Sequence, residues 1–130
     1  MYILDTNTLI YYFKGLGRVA ENLLSHEPKE ICIPTVVLYD LYVGIGKSNA
    51  PEKRSQQLSS LLADVNVLPF KQRSAEYAAQ IRNTLENQGQ PIGPLDVLIA
   101  GTALAQAGAL VTHNTREFSR VTNLKLVDWY

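Results

Sequence analysis

Short apolar runs alternate with longer segments of helical periodicity along the whole chain, and this alternation leaves few folds open. Tyr-Ile-Leu-Asp at residues 2–5 reads as a strand. It leads into Asp-Thr-Asn, side chains that suit the start of a helix carrying Leu9, Ile10 and Phe13 inward. Glu-Ile-Cys-Ile-Pro at 30–34 reads as a second strand closed by Pro34, with Thr35 capping the next helix. Pro51 suits the first turn of a helix through Leu58, Leu61 and Leu62, and Asn-Val-Leu-Pro-Phe at 66–70 is a third strand. Residues 74–89 show helical spacing at Tyr77, Ala78, Ile81 and Leu85, with Gly89 as the stop. A further helix has Pro94 in its first turn and Asp96 near its N-terminus. "ALVTHN" is a fourth strand and "LKLVDW" a fifth. The pattern predicts an α/β fold, a mainly parallel four- or five-stranded sheet with helices on both faces, in one domain over residues 1–130. Ligands in such sheets gather beyond the carboxyl ends of the strands.

Composition narrows the function classes. Twelve basic and twelve acidic side chains cancel, which argues against a bulk polyanion binder, so a nucleic acid would have to be held locally. The single cysteine, Cys32, excludes an internal disulfide and a cysteine-built zinc site, and reads as a buried small hydrophobe. The opening Met-Tyr-Ile-Leu-Asp lacks the pattern of a secretory leader, so a cytoplasmic protein is expected. Val97–Thr115 carries no charge, but its glycines, Gln106, His113 and Asn114 fit helix, turn and strand better than a membrane span, with Gly108 ending the helix.

Three carboxylates stand in apolar company. Asp5 follows Tyr-Ile-Leu, Asp40 lies within Val-Val-Leu-Tyr and Leu-Tyr-Val, and Asp96 lies between Leu95 and Val-Leu-Ile. A partly buried carboxylate costs several kcal/mol unless it is paired or protonated. No Lys or Arg occupies a comparable apolar run, Lys125 coming nearest, so the missing positive charge is expected from outside the chain. Converging carboxylates favour a hard divalent cation, magnesium or manganese over zinc. Asp5 could instead cap its helix and Asp96 could act through the helix dipole. Asp40, about one and a half turns into its helix, has no terminus to serve. After the fourth strand, a parallel sheet brings Asn114 beside Asp5, with Thr115 and Glu117 close by, although Asn-Thr-x-Glu also resembles a helix cap. Neither His26 nor His113 has the spacing of a metal site.

"MYILDTNTLIYYFKG", "TVVLYDLYVGIGKS", "IGPLDVLIAGTALAQAGALVTHNTREFSRV" and the final "LKLVDW" resemble PIN-domain ribonucleases, in particular the VapC toxins of bacterial type II toxin–antitoxin systems, from end to end. The resemblance implies a magnesium-dependent endoribonuclease, often acting on transfer RNA, in which manganese can replace magnesium. It also implies a homodimer and a small VapB-type antitoxin that occludes the site, with an arginine able to neutralise the acidic pocket. Carried over, Asp5 and Asp96 are metal ligands, Asp40 stands where the family usually has glutamate, and Asn114 stands where many PIN domains have a fourth aspartate. Thr6, Asn7, Thr115 and Glu117 are supporting polar residues. Aspartate at 40 is one methylene short of glutamate, which predicts a weakened nuclease. Lys47, Arg82, Arg116 and Arg120 are candidate RNA contacts, and Tyr11, Tyr12, Tyr39 and Tyr42 candidate partner-facing surface.

Competing readings are open at this level. "DTNTL" resembles a phosphatase motif, but its second acid is replaced by Asn7. A phosphoacceptor receiver domain needs an aspartate that "NVLPFK" lacks. A catalytically silent PIN-like module binding RNA or protein is the non-enzymatic alternative, and the Asp40 difference favours it most.

Overall fold

The computed structural model describes all 130 residues. Its three central strands are almost wholly apolar and buried: β1 (Tyr2–Leu4), β2 (Ile31–Pro34) and β4 (Ala109–Val111). The edge strands β3 (Asn66–Leu68) and β5 (Lys125–Val127) are largely open to solvent. That contrast is what a parallel sheet covered on both faces requires, and the five strands pair in the order β3-β2-β1-β4-β5, all parallel. The helices are α1 (Thr6–Lys14), α2 (Val19–Leu24), α3 (Thr35–Gly46), α4 (Pro51–Leu62), α5 (Gln72–Asn87), α6 (Pro94–Ala105) and the short α7 (Thr115–Phe118). Ile3, Leu4, Ile31, Ile33 and Leu110 of the sheet pack with Leu9, Val37, Leu58, Leu85, Ile99 and Phe118 of the helices in one core. No helix is long and apolar enough to cross a membrane.

The topology sets the place for chemistry. From β1 the chain winds outward through β2 to β3, then returns to add β4 and β5 on the other side of β1. The order therefore reverses between β1 and β4. A crevice opens outside the carboxyl ends of two parallel strands at such a reversal. Asp5 is the first residue after β1, and Thr112 the first after β4.

Several local expectations change. Thr35 is the first helical residue of α3 and not its cap; Pro34 takes the cap position, with no side-chain bond. The turn after α6 is made by Ala107, at φ 52°, and not by Gly108. Gly108 answers a packing demand, because a Cβ there would meet Ile3 Cδ1 at 2.8 Å. Gly89, at φ 67°, does follow α5 as a left-handed stop. Helix α2 has no counterpart among the expected elements, since its six residues offer too little periodicity, although Val19 and Leu23 anchor it in the core. Tyr11 and Tyr12 are half-buried against the core, whereas Tyr39 and Tyr42 are exposed.

Candidate functional site: an acidic cleft at the strand reversal

Asp5 is 4% exposed and wholly engaged. Its Oδ1 accepts the Thr8 backbone N–H at 2.9 Å, capping α1, and its Oδ2 accepts the Thr112 hydroxyl at 2.5 Å. The capping reading and the site reading are both satisfied, one per oxygen. Thr112 Oγ1 in turn accepts the Asn114 N–H at 3.0 Å, and Thr8 Oγ1 donates to the Val111 carbonyl at 3.1 Å. In register, Leu4 pairs with Val111, so Thr112 lies opposite Asp5. Asn114 is linked to Asp5 through that hydroxyl and makes no direct hydrogen bond to it. Burial pushes the Asp5 carboxyl up, the bonds from Thr112 and Thr8 hold it down, and the charge of Asp128 raises it further.

Asp96 sits in the first turn of α6, where the helix dipole favours an anion. Its pKa is nevertheless raised to about 6, first by burial and then by the charges of Asp5, Glu117 and Asp40. No hydrogen bond or cation offsets this. The carboxylate turns back over the helix start, so that a Cβ at Gly93 would stand 3.0 Å from its Oδ2. Four acidic side chains from four elements thus share one field: Asp5 before α1, Asp40 in α3, Asp96 in α6 and Glu117 in α7. None of the four forms an ion pair with a lysine or arginine.

Around them, Asn114 Nδ2 donates to Glu117 Oε2 at 3.1 Å, and Asn114 is the cap residue of α7 without making a side-chain capping bond. The Asn-Thr-x-Glu run is therefore not a capping box, and Glu117 belongs to the acidic group. Thr6 Oγ1 is buried without a hydrogen-bond partner, while Asn7 and Thr115 are exposed. All the converging donors are hard oxygens, the chemistry a small divalent cation takes. As they stand, however, no three acidic, imidazole or thiol groups are close enough to clasp one ion.

The basic candidates are scattered. Arg82 is paired with Glu86 at 2.8 Å and Arg120 donates to the Pro91 carbonyl at 3.2 Å. Lys47, the cap residue after α3, and Arg116 on α7 are exposed and make no ion pair. An apolar hollow of about 570 Å³ between α5 and α6, lined by Phe70, Ala78, Leu85, Ile92 and Leu98, contains none of the four acids. Its size does not make it the reactive site, because it offers only Arg82 and Glu86 as charged groups, and these neutralise each other.

Two contributors lie outside the residues singled out from sequence. Thr112 gives no local signal. Asp128 does: it lies between Val127 and Trp129, the same apolar company that marks Asp5, Asp40 and Asp96. It accepts from His113 and lies close enough for its charge to reach Asp5.

Comparison with known proteins agrees with this fold. The profile of the family described as "PIN domain" matches residues 2–124. A "tRNA(fMet)-specific endonuclease VapC" from Shigella flexneri is 35% identical over 128 residues, covering 98% of this chain and 97% of its own. The structure of VapBC2 from Rickettsia felis bound to a promoter DNA fragment superposes with a TM-score of 0.90 at 34% identity, covering 99% of this chain and 98% of that one. DNA-bound VapBC from Salmonella typhimurium gives a TM-score of 0.92 at 33% identity, over 99% and 98% of the two chains.

Proposed function

The chain belongs to the PIN-domain family, as a toxin-type ribonuclease of the VapC kind, and from that premise we propose that it hydrolyses RNA phosphodiester bonds internally with the help of magnesium, manganese being able to substitute. The observation that carries the reading is Asp96. It is a carboxylate lifted to about 6 by burial and by three other acids, with no protein cation to relieve it. A structural role gives no reason to keep such a group, whereas a site poised for an external cation does. Asp5, Asp96 and Asp40 would hold the ion, whose bound form offsets charge on the scissile phosphate and makes water acidic enough to attack. Clasping it would require the carboxylates to draw closer together than they stand.

The chain's own residues divide the remaining work. Thr112 and the α1 N-terminus fix both oxygens of Asp5, so that this carboxylate is oriented in advance. Asn114 is placed by its backbone bond to Thr112 and by Glu117, and would hold an attacking or bridging water. Thr6, Asn7 and Thr115 would line the approach, with the exposed and unpaired Lys47 and Arg116 as outer contacts to the RNA backbone. Asp40 carries one methylene fewer than the glutamate usual in the family, and we read the enzyme as weakened for that reason.

The Shigella flexneri relative is described as specific for tRNA(fMet), which supports transfer RNA as the substrate class. The structural relatives are VapBC complexes, which supports a VapB-type antitoxin as partner, one whose arginine would occupy the acidic cleft. Exposed Tyr39, Tyr42 and Val43 on α3 supply apolar surface for that partner or for a homodimer. A cytoplasmic location follows from the RNA substrate. The deciding experiment incubates the purified protein with total cellular RNA, first with magnesium and then with EDTA. Magnesium-dependent fragments are expected, and cutting that persists in chelator overturns the proposal.

A further inference from the structure

One cluster near the cleft is left unused by this chemistry. His113 Nδ1 stands 3.0 and 3.2 Å from the two carboxylate oxygens of Asp128. Its imidazole is stacked on Tyr130, with centroids 4.2 Å apart and planes 20° from parallel. Tyr11 closes the group edge-on, 6.0 Å from the imidazole and 5.0 Å from the Tyr130 ring.

The backbone holds these rings in place. The Tyr130 N–H donates to Asp128 Oδ1 at 2.9 Å, and the Tyr130 carbonyl accepts the Arg18 N–H at 2.6 Å. Tyr130 also lies directly against Gly17, at φ 60°, where a Cβ would meet its carbonyl at 2.7 Å and its ring at 2.8 Å. Despite these tethers the His113 side chain stays 45% exposed. With one face on Tyr130 and Nδ1 turned to Asp128, that exposure falls on the opposite face and on the Nε2 edge. In sequence His113 lies between Thr112, bonded to Asp5, and Asn114, and its partner Asp128 is close enough for its charge to reach Asp5, so the cluster stands at the edge of the cleft.

We infer that the free face of His113, backed by Tyr130 and fixed by Asp128, is a stacking platform for one nucleobase of the RNA next to the phosphate that is cut. This rests on the endoribonuclease reading above. Single-stranded RNA is commonly gripped by splaying out a base and stacking it on an aromatic or imidazole ring. Such a grip suits this chain in particular. Its acidic cleft repels a phosphate backbone, its net charge is zero, and Arg82 and Arg120 are already engaged. Stacking is indifferent to charge, and the exposed Nε2 can meet a base edge. A platform of this kind selects a loop or an end, where a base can leave its stack, over paired RNA.

The test uses a short single-stranded RNA of about ten nucleotides, a length within the range that single-strand-binding domains cover, carrying 2-aminopurine walked through the sequence one position at a time. It is run in EDTA so that no cleavage intervenes. Chelator weakens binding of every variant through the same acidic repulsion, so ratios between variants carry the result. His113→Ala is expected to bind about tenfold or more weakly and to lose the fluorescence change at one position. His113→Phe keeps a ring face and is expected to restore both. An abasic nucleotide at that position should weaken the parent protein to the level of His113→Ala and leave His113→Ala unaffected, which loss of fold would not mimic. Equal binding by His113→Ala and the parent, failure of His113→Phe to rescue, or absence of RNA binding by the parent overturns the platform. Loss of the nuclease reading shows instead as absence of magnesium-dependent cutting, a separate measurement.

Discussion

Replacing Asp96 by asparagine should make the metal-free protein more stable while removing its activity. The folded carboxyl is raised from 3.8 to about 6. Below 3.8 both the folded and unfolded chains carry the proton and the group is neutral in its effect. Between 3.8 and about 6 the folded chain keeps a proton that the unfolded chain has lost, so stability falls as pH rises through this window. Above it the whole cost is present: about 2.2 pKa units at about 1.36 kcal/mol each, or about 3 kcal/mol. Water reaching the half-buried carboxylate screens part of that cost, which makes about 3 kcal/mol a ceiling. An asparagine side chain there would have the same shape and no charge at any pH. In EDTA at pH 7.5, Asp96→Asn should therefore unfold at higher urea, by up to about 3 kcal/mol, or roughly 10 °C in Tm for a chain of this size. At pH 4 the advantage should shrink toward zero. Magnesium should stabilise the parent protein and leave the variant unchanged. A variant no more stable than the parent at pH 7.5, or one whose gain is the same at pH 4, would refute the claim that charge confined in the cleft is the cause.

Asp40→Glu extends the carboxylate by one methylene, and if reach limits the reaction, magnesium-dependent cleavage of total RNA should rise, by up to about 10²-fold for a correction of about 1 Å. Inactivity of both forms would support the silent binding module. Thr112→Val removes the donor to Asp5 Oδ2 and the acceptor for the Asn114 N–H, and should cost about 1–3 kcal/mol in urea unfolding at pH 7. The loss should be smaller at pH 3, below the ordinary 3.8 from which burial raises Asp5 and where its carboxyl keeps its proton, and unaltered stability at pH 7 would show that the bond is not holding the carboxylate.

The fold is readable because each central strand announces itself as an apolar run and each long helix by its spacing. The reversal of strand order is not, since nothing in Tyr2–Leu4 states that its second neighbour lies at Ala109–Val111. The acids Asp5, Asp40 and Asp96 are conspicuous because an isolated charge among apolar residues is costly wherever the chain folds. Thr112 is invisible, as a threonine among strand residues is ordinary. Its meaning comes from a partner 107 residues away. Asp128 meets the rule that finds the other acids, although it stands outside the predicted set. At Ala107 the left-handed turn falls on the residue before the glycine, because Gly108 is needed where Ile3 packs.

The central place of β1 has a bearing on when the cleft can form. Made before its neighbours in the sheet, β1 can pair with β2 early, but its other flank stays bare until residues 109–111 have been synthesised. Asp5 gains its threonine bond, and the cleft its fourth wall, only then. A chain interrupted before residue 109 thus lacks both the strand that flanks β1 and the hydroxyl that orients Asp5, and its acids are not yet gathered in one cleft.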